Sequence, residues 1–235
     1  MSGFKYVGQE LELFANVHNW KSYWSARLKP FIAGDVVEAG AGLGANTPYL
    51  NRGGARSWVC LEPDPALVEE LKHNVERTEP GCECEVACGT LESLAGREFD
   101  TIIYIDVLEH IEDDKGELQR AASRLRSGGR VIVLSPAHQF LFTEFDAAIG
   151  HYRRYNRASL KKLTPANLYL EEMWYLDSAG LLLSGANRFL LRQSMPTEAQ
   201  LRVWDRWVVP VSRTLDRCWF GQVGKSIVGI WGKKE

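Results

Sequence analysis

The sequence predicts an α/β fold built on a mostly parallel sheet of seven strands, with helices on both faces. Three observations support this prediction. Short apolar runs alternate with segments of helical periodicity along the 235 residues, and glycine or proline ends several of the runs. The composition, 45% hydrophobic and 25% charged, is that of a globular chain. Such alternation is typical of βαβ units, and this balance argues against a disordered or fibrous protein.

Each predicted strand is a short run of apolar or β-branched residues bounded by turn residues. Gly40 stops the first strand, Pro63 follows the second, and Gly128 and Gly129 precede the fifth. The third alternates only weakly, whereas the fourth is apolar throughout, as in a strand buried on both faces. In chain order the predicted strands are 35–39, 57–61, 83–87, 99–105, 130–134, 168–176 and 226–231.

Helices are predicted where apolar residues recur at helical spacing. Asp64 caps one of them and Asp113 opens another. Residues 9–32 form an aromatic-rich amphipathic stretch before the first strand. A longer helical segment, 197–219, precedes the last strand, and we expect Pro210 to interrupt it.

The segment 197–219 carries an apolar stripe and a second stripe of arginines at positions 202, 206, 213 and 217. Its simplest interpretation is an added helix that packs over the domain, or against a second subunit in a homodimer. Contact with a membrane surface and a wall for a lipophilic acceptor are the alternatives that the pattern leaves open.

We expect one domain over 1–235, divided into an N-terminal helical lid (1–33), a ligand-binding core (34–136) and a C-terminal part (137–235). No apolar run reaches the roughly 18 residues that span a bilayer, and the start lacks the pattern of a secretory signal. Five cysteines are an odd number, thinly spread, so a reducing cytoplasm is expected. Cys82, Cys84 and Cys88 are interpreted as small buried apolar residues, because histidine partners at ligand spacing are missing.

The two halves of the chain differ in charge. The net charge is −10 over residues 1–120 and +8 over residues 121–235. The basic half is where we expect an anionic substrate, an acidic partner or a lipid headgroup to bind. The overall charge of −2 argues against nucleic acid as the partner.

A glycine-rich turn follows the first strand directly, with glycines at 40, 42 and 44. Glycine allows a backbone to approach a ligand closely, and a helix start directs free N–H groups toward it. Such a turn alone also fits a dinucleotide site. Four acids at predicted strand ends favour a cationic ligand instead, since they would repel a pyrophosphate: Glu38, Glu62, Asp106 and Glu109.

Four motifs follow one another between residues 36 and 136: EAGAGLGANT, CLEPD, FDTIIYIDVLEHIED and LRSGGRVIVLSP. Together they resemble those of the class I S-adenosylmethionine-dependent methyltransferases. The resemblance implies a Rossmann-like fold and methyl transfer from S-adenosylmethionine to an oxygen or nitrogen of a small-molecule acceptor, leaving S-adenosylhomocysteine. The run DAAIGHYRRY, 146–155, is similar to one in small bacterial enzymes of this superfamily.

The resemblance also implies a cofactor-binding set. Gly40, Ala41 and Gly42 would approach the methionine part, with Glu38 near its amino group. Glu62 would accept both ribose hydroxyls, and residues 89–91 would border the adenine. The full set is Trp20 and Tyr23 from the lid, then Glu38, Gly40, Ala41, Gly42, Asn46, Glu62, Pro63, Gly89, Thr90, Leu91, Asp106 and Val107.

The segment after the fifth strand is the candidate acceptor site, because it lies over the carboxyl-end crevice of an open sheet. The candidate general bases are His110, His138 and His151. Tyr152, Arg153 and Arg154 are expected to bind an acidic acceptor, the arginines by bidentate pairing. A solvated basic loop is the competing interpretation of this run.

We expect direct in-line displacement with no metal. Three other functions stay open: a nucleic-acid methyltransferase, a nicotinamide oxidoreductase, and a regulator that binds the cofactor without catalysis. A base-amine methyltransferase would carry an Asn/Asp-Pro-Pro-aromatic run after the fourth strand, where this chain has Asp106-Val107-Leu108-Glu109.

Overall fold

Seven strands form one sheet in a computed structural model that describes residues 10–77, 81–186 and 197–234. The strands are β1 (Gly34–Ala39), β2 (Ala55–Glu62), β3 (Glu83–Cys88), β4 (Phe99–Ile105), β5 (Leu125–Pro136), β6 (Leu168–Leu176) and β7 (Ser226–Lys233). Their order is β3-β2-β1-β4-β5-β7-β6. β7 runs in the direction opposite to the other six strands, so it is antiparallel to both β5 and β6, and the other pairings are parallel. The predicted mostly parallel α/β sheet is confirmed.

The central strands are apolar on both faces because helices cover both. Val36 and Val37 of β1, like Ile102 and Ile103 of β4, are fully buried although successive side chains point to opposite faces. β1 pairs with β4 in register, Val37 opposite Ile102. The strand order therefore reverses between β1 and β4, which is where ligands bind in open α/β sheets.

The α-helices are α1 (Glu10–Ala15), α2 (His18–Leu28), α3 (Thr47–Leu50), α4 (Pro65–Arg77), α5 (Asp114–Arg124), α6 (Glu144–Ala148), α7 (Arg157–Lys161), α8 (Ser178–Ala186), α9 (Glu198–Val203) and α10 (Val209–Cys218). Short 3₁₀ turns cover Lys29–Phe31, Leu91–Leu94, Leu108–His110 and Gln139–Leu141. The predicted cap of α5 is present, since the Asp113 side chain accepts a hydrogen bond from the Gly116 N–H at 2.9 Å.

Each face of the sheet has its own apolar core. On one face α5 and α7 pack through Leu118, Ala121 and Leu160. On the other face α2 packs through Trp20, Trp24 and Leu28, α4 through Leu71 and Val75, and α10 through Val209. The predicted helices on both faces are thus confirmed.

The N-terminal aromatic stretch differs from the single amphipathic segment predicted for 9–32. It forms α1, α2 and a 3₁₀ turn, with a break at Asn16–Val17, while residue 9 lies outside the described residues. Lys21 and Ser25 of α2 are buried beside its aromatic residues. The helix lacks a simple polar face because it is enclosed between the sheet and α10.

The helical segment before β7 is continuous from Glu198 to Cys218, and Pro210 lies in the first turn of α10. The interruption expected at Pro210 is therefore wrong, and the irregularity is instead a π turn at Trp204–Val208, where the Val209 N–H donates to Trp204 O. The wider turn ends just before the proline, which has no N–H to donate, so the helical backbone continues past it. None of the helices in the described ranges is long and apolar enough to cross a membrane.

Candidate active site

A cavity of about 900 Å³ opens at the carboxyl ends of β1 and β4. Its floor is the loop after each of these two strands. One wall comes from α1 and α2, and the others from the segment after β5 and from helices α8 and α9 with the π turn that follows α9. The cavity therefore lies where the reversal of strand order predicts a ligand.

The glycine loop after β1 forms part of this floor. Gly40 and Gly42 have positive φ angles of 68° and 55°, which glycine adopts without strain. The N–H groups of Gly40 and Ala41 donate to Leu61 O at 2.7 and 3.0 Å, fixing the loop on β2. A Cβ on Gly40 would lie 2.7 Å from Val107 Cγ2, so only glycine fits there. Asn46, Pro63 and Val107 also line the cavity, and their contact with a cofactor stays a prediction.

Glu62 lies on the cavity wall with both carboxylate oxygens fixed by backbone. The Gly42 N–H donates to Oε2 and the Asp64 N–H to Oε1, each at 2.9 Å. Burial raises the pKa of Glu62, and these two N–H groups oppose the rise. Because a carboxylate oxygen accepts more than one hydrogen bond, the group keeps capacity for two further donors in the cavity.

Glu38 is corrected from a cavity residue to a buried support. It does not line the cavity, and its Oε2 accepts hydrogen bonds from Thr47 Oγ1 at 2.8 Å and Trp58 Nε1 at 3.1 Å. Burial raises the pKa of Glu38 to about 7. Lys21 provides a nearby charge, and its Nζ donates to Ala45 O at 3.2 Å. Glu38 therefore supports the glycine loop from below.

The two aromatic residues predicted for the lid have different positions. Trp20 lines the cavity, and its ring lies 5.6 Å from that of Trp204. Tyr23 does not line it, because its hydroxyl donates to Asp216 Oδ2 at 2.8 Å and holds α2 against α10. The expectation for Tyr23 is corrected accordingly.

The segment predicted to border the adenine also lies outside the cavity lining. Leu91 is buried in the core on the α5 face, and Thr90 is exposed at the start of a 3₁₀ turn. Gly89 touches the site only indirectly, since its N–H donates to Glu62 O at 2.9 Å. The segment turns away because Leu91 is drawn into the core.

Asp106 extends from the end of β4 into the cavity, as predicted. Its backbone has a left-handed φ of 54°, and its N–H donates to Leu134 O at 2.8 Å. The protein environment raises the pKa of Asp106 to about 6 by desolvation, against the opposing charges of His151 and Lys225. Its carboxylate is thus an acidic group of the cavity, close enough to His151 and Lys225 to interact with their charges.

His151 and Asp146 form a hydrogen-bonded pair on the cavity wall. His151 Nδ1 lies 3.0 Å from Asp146 Oδ1. Arg154 donates to the same carboxylate through Nε at 2.8 Å and Nη2 at 3.0 Å. Burial opposes ionisation of Asp146, but the bond to His151 and the charge of Arg154 hold its pKa at about 2. The pair is therefore an ionised carboxylate that orients an imidazole.

The second ring nitrogen of His151 faces a buried acid. His151 Nε2 lies 3.9 Å from Glu109 Oε1, which has no hydrogen-bond partner among the described residues. Glu109 Oε2 accepts from Ser135 Oγ at 2.9 Å. Burial and the nearby Asp106 charge raise the pKa of Glu109 well above its usual range. His151 Nε2 therefore lies beside this buried acid at a distance longer than a hydrogen bond.

The other two histidines differ in their access to the cavity. His110 lines it, with its ring 4.4 Å from that of His151, and burial lowers its pKa to about 4. His138 does not line it, because Nε2 bonds Gly224 O at 2.9 Å and the ring stacks on Tyr175. The expectation that His138 is a catalytic base is corrected, since its ring is held away from the cavity.

Of the three residues predicted to bind the acceptor, only Arg154 lines the cavity. Tyr152 is exposed outside the cavity, and Arg153 pairs with Asp114 at 2.6 Å and with Glu112 O at 2.8 Å. Arg154 lines the cavity, but Asp146 already occupies its bidentate face. The arginines are therefore corrected from acceptor ligands to partners of buried or half-buried acids.

One group of side chains has the spacing of a metal site. Ligand atoms of Glu109, His110 and His151 all lie within 4.8 Å of one another. The expectation that no metal is required therefore stays a prediction. All five cysteines of the chain are free. Cys82 and Cys84 are half-buried and Cys88 is exposed, so the expectation that these three are buried is wrong.

The sequence interpretation missed several lining residues. Asp146 begins the DAAIGHYRRY run, and its spacing of five from His151 was the available signal. Lys225 precedes β7, whose antiparallel direction places its start at the same sheet edge. The Lys225 Nζ lies 5.1 Å from the Trp204 ring centre. The apolar lining includes Leu11, Phe14, Leu141, Phe145, Ile149, Leu183, Leu201, Val203, Trp204 and Val208.

Comparisons with known proteins agree with this architecture. Residues 37–133 match the family described as "Methyltransferase domain". The ubiquinone biosynthesis O-methyltransferase of Methylocella silvestris is 30% identical over 96 residues, 40% of this chain and 36% of that protein. Its counterpart in Parvibaculum lavamentivorans is 28% identical over 130 residues, 52% of this chain and 50% of that protein. The matches thus span half or less of these relatives' length.

Solved structures show the same fold at low identity. An S-adenosylmethionine-dependent methyltransferase from Clostridium acetobutylicum has a TM-score of 0.60 and 12% identity, covering 96% of each chain. The magnesium protoporphyrin IX methyltransferase of Synechocystis, solved with bound S-adenosylhomocysteine, has a TM-score of 0.59 and 15% identity, covering 99% of this chain and 90% of that one. The fold is that of Rossmann-like methyltransferases, and residues 37–133 match their domain family. The chain is thus similar to the class I S-adenosylmethionine-dependent methyltransferases.

The cavity residues fit the methyl donor of this family. The glycine loop has positive φ angles and lies close against Val107, where a Cβ on Gly40 would not fit. Its N–H groups are held in a fixed arrangement. Glu62 presents a carboxylate oriented by two backbone N–H groups, suited to a pair of hydroxyls.

Proposed function

We propose that this chain methylates a hydroxyl oxygen of a small lipophilic molecule, with His151 as the general base. The observation that carries the proposal is the 3.0 Å hydrogen bond between His151 Nδ1 and Asp146, on the wall of the cavity that the glycine loop also lines. A histidine oriented in this way by a carboxylate is suited to remove a proton from a hydroxyl.

S-adenosylmethionine, when bound, supplies a methyl group on a positively charged sulfur, so the donor needs no further activation. We assign the glycine loop, Glu62 and Trp20 to its binding, with Glu62 accepting the ribose hydroxyls. The chain's remaining task is to position the acceptor and to remove its proton.

Proton removal is assigned to His151 Nε2. Asp146 accepts the hydrogen bond of Nδ1, which fixes the tautomer with a free lone pair on Nε2. Because the pKa of Asp146 is held at about 2, its carboxylate stays ionised at neutral pH and stabilises the imidazolium that forms. Arg154 keeps the carboxylate in place through two hydrogen bonds.

A lipophilic acceptor is supported by the apolar cavity wall that lies beyond His151 and Asp146. Leu141, Phe145 and Ile149 line the side near His151, and α8, α9 and the π turn add further apolar residues. The volume of about 900 Å³ is in the range of small-molecule sites. The relatives named for ubiquinone biosynthesis O-methylation support this class of acceptor. We keep the reducing cytoplasm as the proposed compartment.

The test measures S-adenosylhomocysteine release with a panel of alkylated phenols and hydroquinones, and with the corresponding anilines. We expect turnover with the hydroxyl compounds and a loss of about 10²–10⁴ in His151→Ala. His73→Ala, at an exposed histidine of α4, is the matched control and should keep full activity. Turnover of the anilines alone, or no turnover despite donor binding, would overturn the proposal.

A further inference from the structure

The outer face of the C-terminal helices combines exposed apolar and basic side chains. Trp207 is 64% exposed, and Val203 and Val211, four residues before and after it, are each more than half exposed. The opposite face is buried, with Leu201, Val209 and Ser212 directed inward. We call the outer face of α9, the π turn and α10, together with Leu182 and Leu183 of α8, the helical surface.

The charge on this surface has one sign. Arg202, Arg206, Arg213 and Arg217 are all exposed. The two acids on the same segment are buried: Asp205 accepts from the Trp20 N–H at 2.8 Å, and Asp216 accepts from Tyr23. Glu198, at the first turn of α9, pairs with Arg202. From residue 199 to 218 the exposed charge is therefore entirely positive.

The helical surface is continuous with the mouth of the cavity. Leu183 and Val203 line the cavity and are at least half exposed at the same time. α8 is held beside α10 by the Ser178 N–H on Asp216 Oδ1 at 3.0 Å and the Ala179 N–H on Ser212 Oγ at 3.1 Å. The apolar rim of the cavity and the arginine-flanked helix thus form one surface.

We propose that the helical surface binds a lipid bilayer with anionic headgroups, so that the cavity mouth faces the bilayer. A helix with tryptophan and valine on its outer side and arginines beside them has the composition of an interfacial helix. Arginine pairs with lipid phosphates, and tryptophan prefers the boundary between water and hydrocarbon. This goes beyond the proposed function, because bilayer binding can be measured without any methyl transfer.

The experiment is flotation of the full chain with vesicles of phosphatidylcholine alone, or of phosphatidylcholine with 30% phosphatidylglycerol. We expect binding to the anionic vesicles only, weakening as salt rises. Arg206→Glu with Arg213→Glu should lower the apparent affinity on the order of 25-fold, since each basic residue near an anionic surface contributes roughly fivefold. Trp207→Ser should lower it as well, with an unchanged melting temperature.

The matched control reverses two charges on the other face of the sheet. Lys161→Glu with Lys162→Glu makes the same change in net charge beside α7, and should keep the affinity within about twofold. Equal loss in this control would show an unspecific charge effect and overturn the proposal. So would a lack of binding to the anionic vesicles, or a Trp207-dependent dimer in light scattering that does not float with vesicles.

Discussion

The Gly42 N–H donates a 2.9 Å hydrogen bond to Glu62 Oε2, so the glycine loop after β1 and the acid after β2 form one unit. The same carboxylate accepts the Asp64 N–H through Oε1. Two sequence motifs twenty residues apart are therefore coupled through one side chain, and a change at Glu62 affects both the loop and the proposed ribose contact.

Glu62→Ala should weaken S-adenosylmethionine binding by about 1.5–3 kcal/mol, because the lost hydrogen bonds involve a charged acceptor. Isothermal titration calorimetry measures this loss. Glu69→Ala, at an exposed glutamate of α4 that pairs with Lys72, is the control and should bind normally. Unchanged donor affinity in a folded Glu62→Ala protein would remove this residue from the cofactor site.

Substitutions at Trp20 and Tyr23 should have different effects, the first on donor affinity and the second on stability. Trp20→Ala removes a ring from the cavity wall and should lower donor affinity several-fold. Tyr23→Phe removes only the hydroxyl bonded to Asp216, and should lower the free energy of unfolding by about 1–2 kcal/mol without changing donor affinity. Calorimetry measures the donor affinity of both variants, and thermal melts measure their stability. A loss of affinity in Tyr23→Phe equal to that in Trp20→Ala would contradict the assignment.

The fold could be predicted from the sequence because apolar patterning and turn residues act locally. The site was only partly predictable, because its groups are defined by long-range partners. Tyr23 is turned toward Asp216, 193 residues away, and Leu91 is drawn into the core. Arg153 and Arg154 are neighbours in sequence, yet they pair with Asp114 and Asp146 on different elements. The spacing of residues in the sequence does not indicate which distant partner each side chain contacts.

Glu38 should make stability depend on pH. Its folded pKa of about 7 lies above that of an unfolded glutamate, so its contribution is fully present below about pH 4.5 and is lost as pH rises through 7. The difference amounts to at most about 3 kcal/mol. Glu38→Gln can still accept the hydrogen bonds of Thr47 and Trp58.

Denaturant unfolding between pH 4.5 and 8.5 tests this prediction. Wild-type protein should lose stability relative to Glu38→Gln as pH rises through 7. Two parallel curves would mean that Glu38 does not titrate in this range.

Chelation should leave methyl transfer unchanged, because the proposed proton transfer to His151 needs no cation. The His110 ring is also hydrogen bonded to the backbone of Ile149 and Gly150. Assays with EDTA, and metal analysis of the purified protein, check this expectation. Loss of activity that Mg²⁺ or Mn²⁺ restores would instead make Glu109, His110 and His151 a metal site.

Arg154 and Asp146 should act on turnover through His151 rather than on acceptor affinity. Arg154→Lys cannot reproduce the two hydrogen bonds to Asp146, and an ammonium contacts only one oxygen well. Asp146→Asn keeps an acceptor for His151 Nδ1 but removes the charge that stabilises the imidazolium. We expect kcat to fall on the order of 10-fold or more in Arg154→Lys and 10²-fold or more in Asp146→Asn, with KM for the acceptor nearly constant.

Thermal melts separate a positioning role from a loss of folding. In Asp146→Asn, kcat per folded molecule should fall, whereas in a partly unfolded protein the loss of kcat equals the loss of folded fraction. Arg153→Lys, at an arginine paired with Asp114 outside the cavity, is the matched control and should keep kcat. If Arg154→Lys instead raised KM while kcat stayed constant, Arg154 would be an acceptor ligand, and the role assigned here to the Asp146 carboxylate would fail.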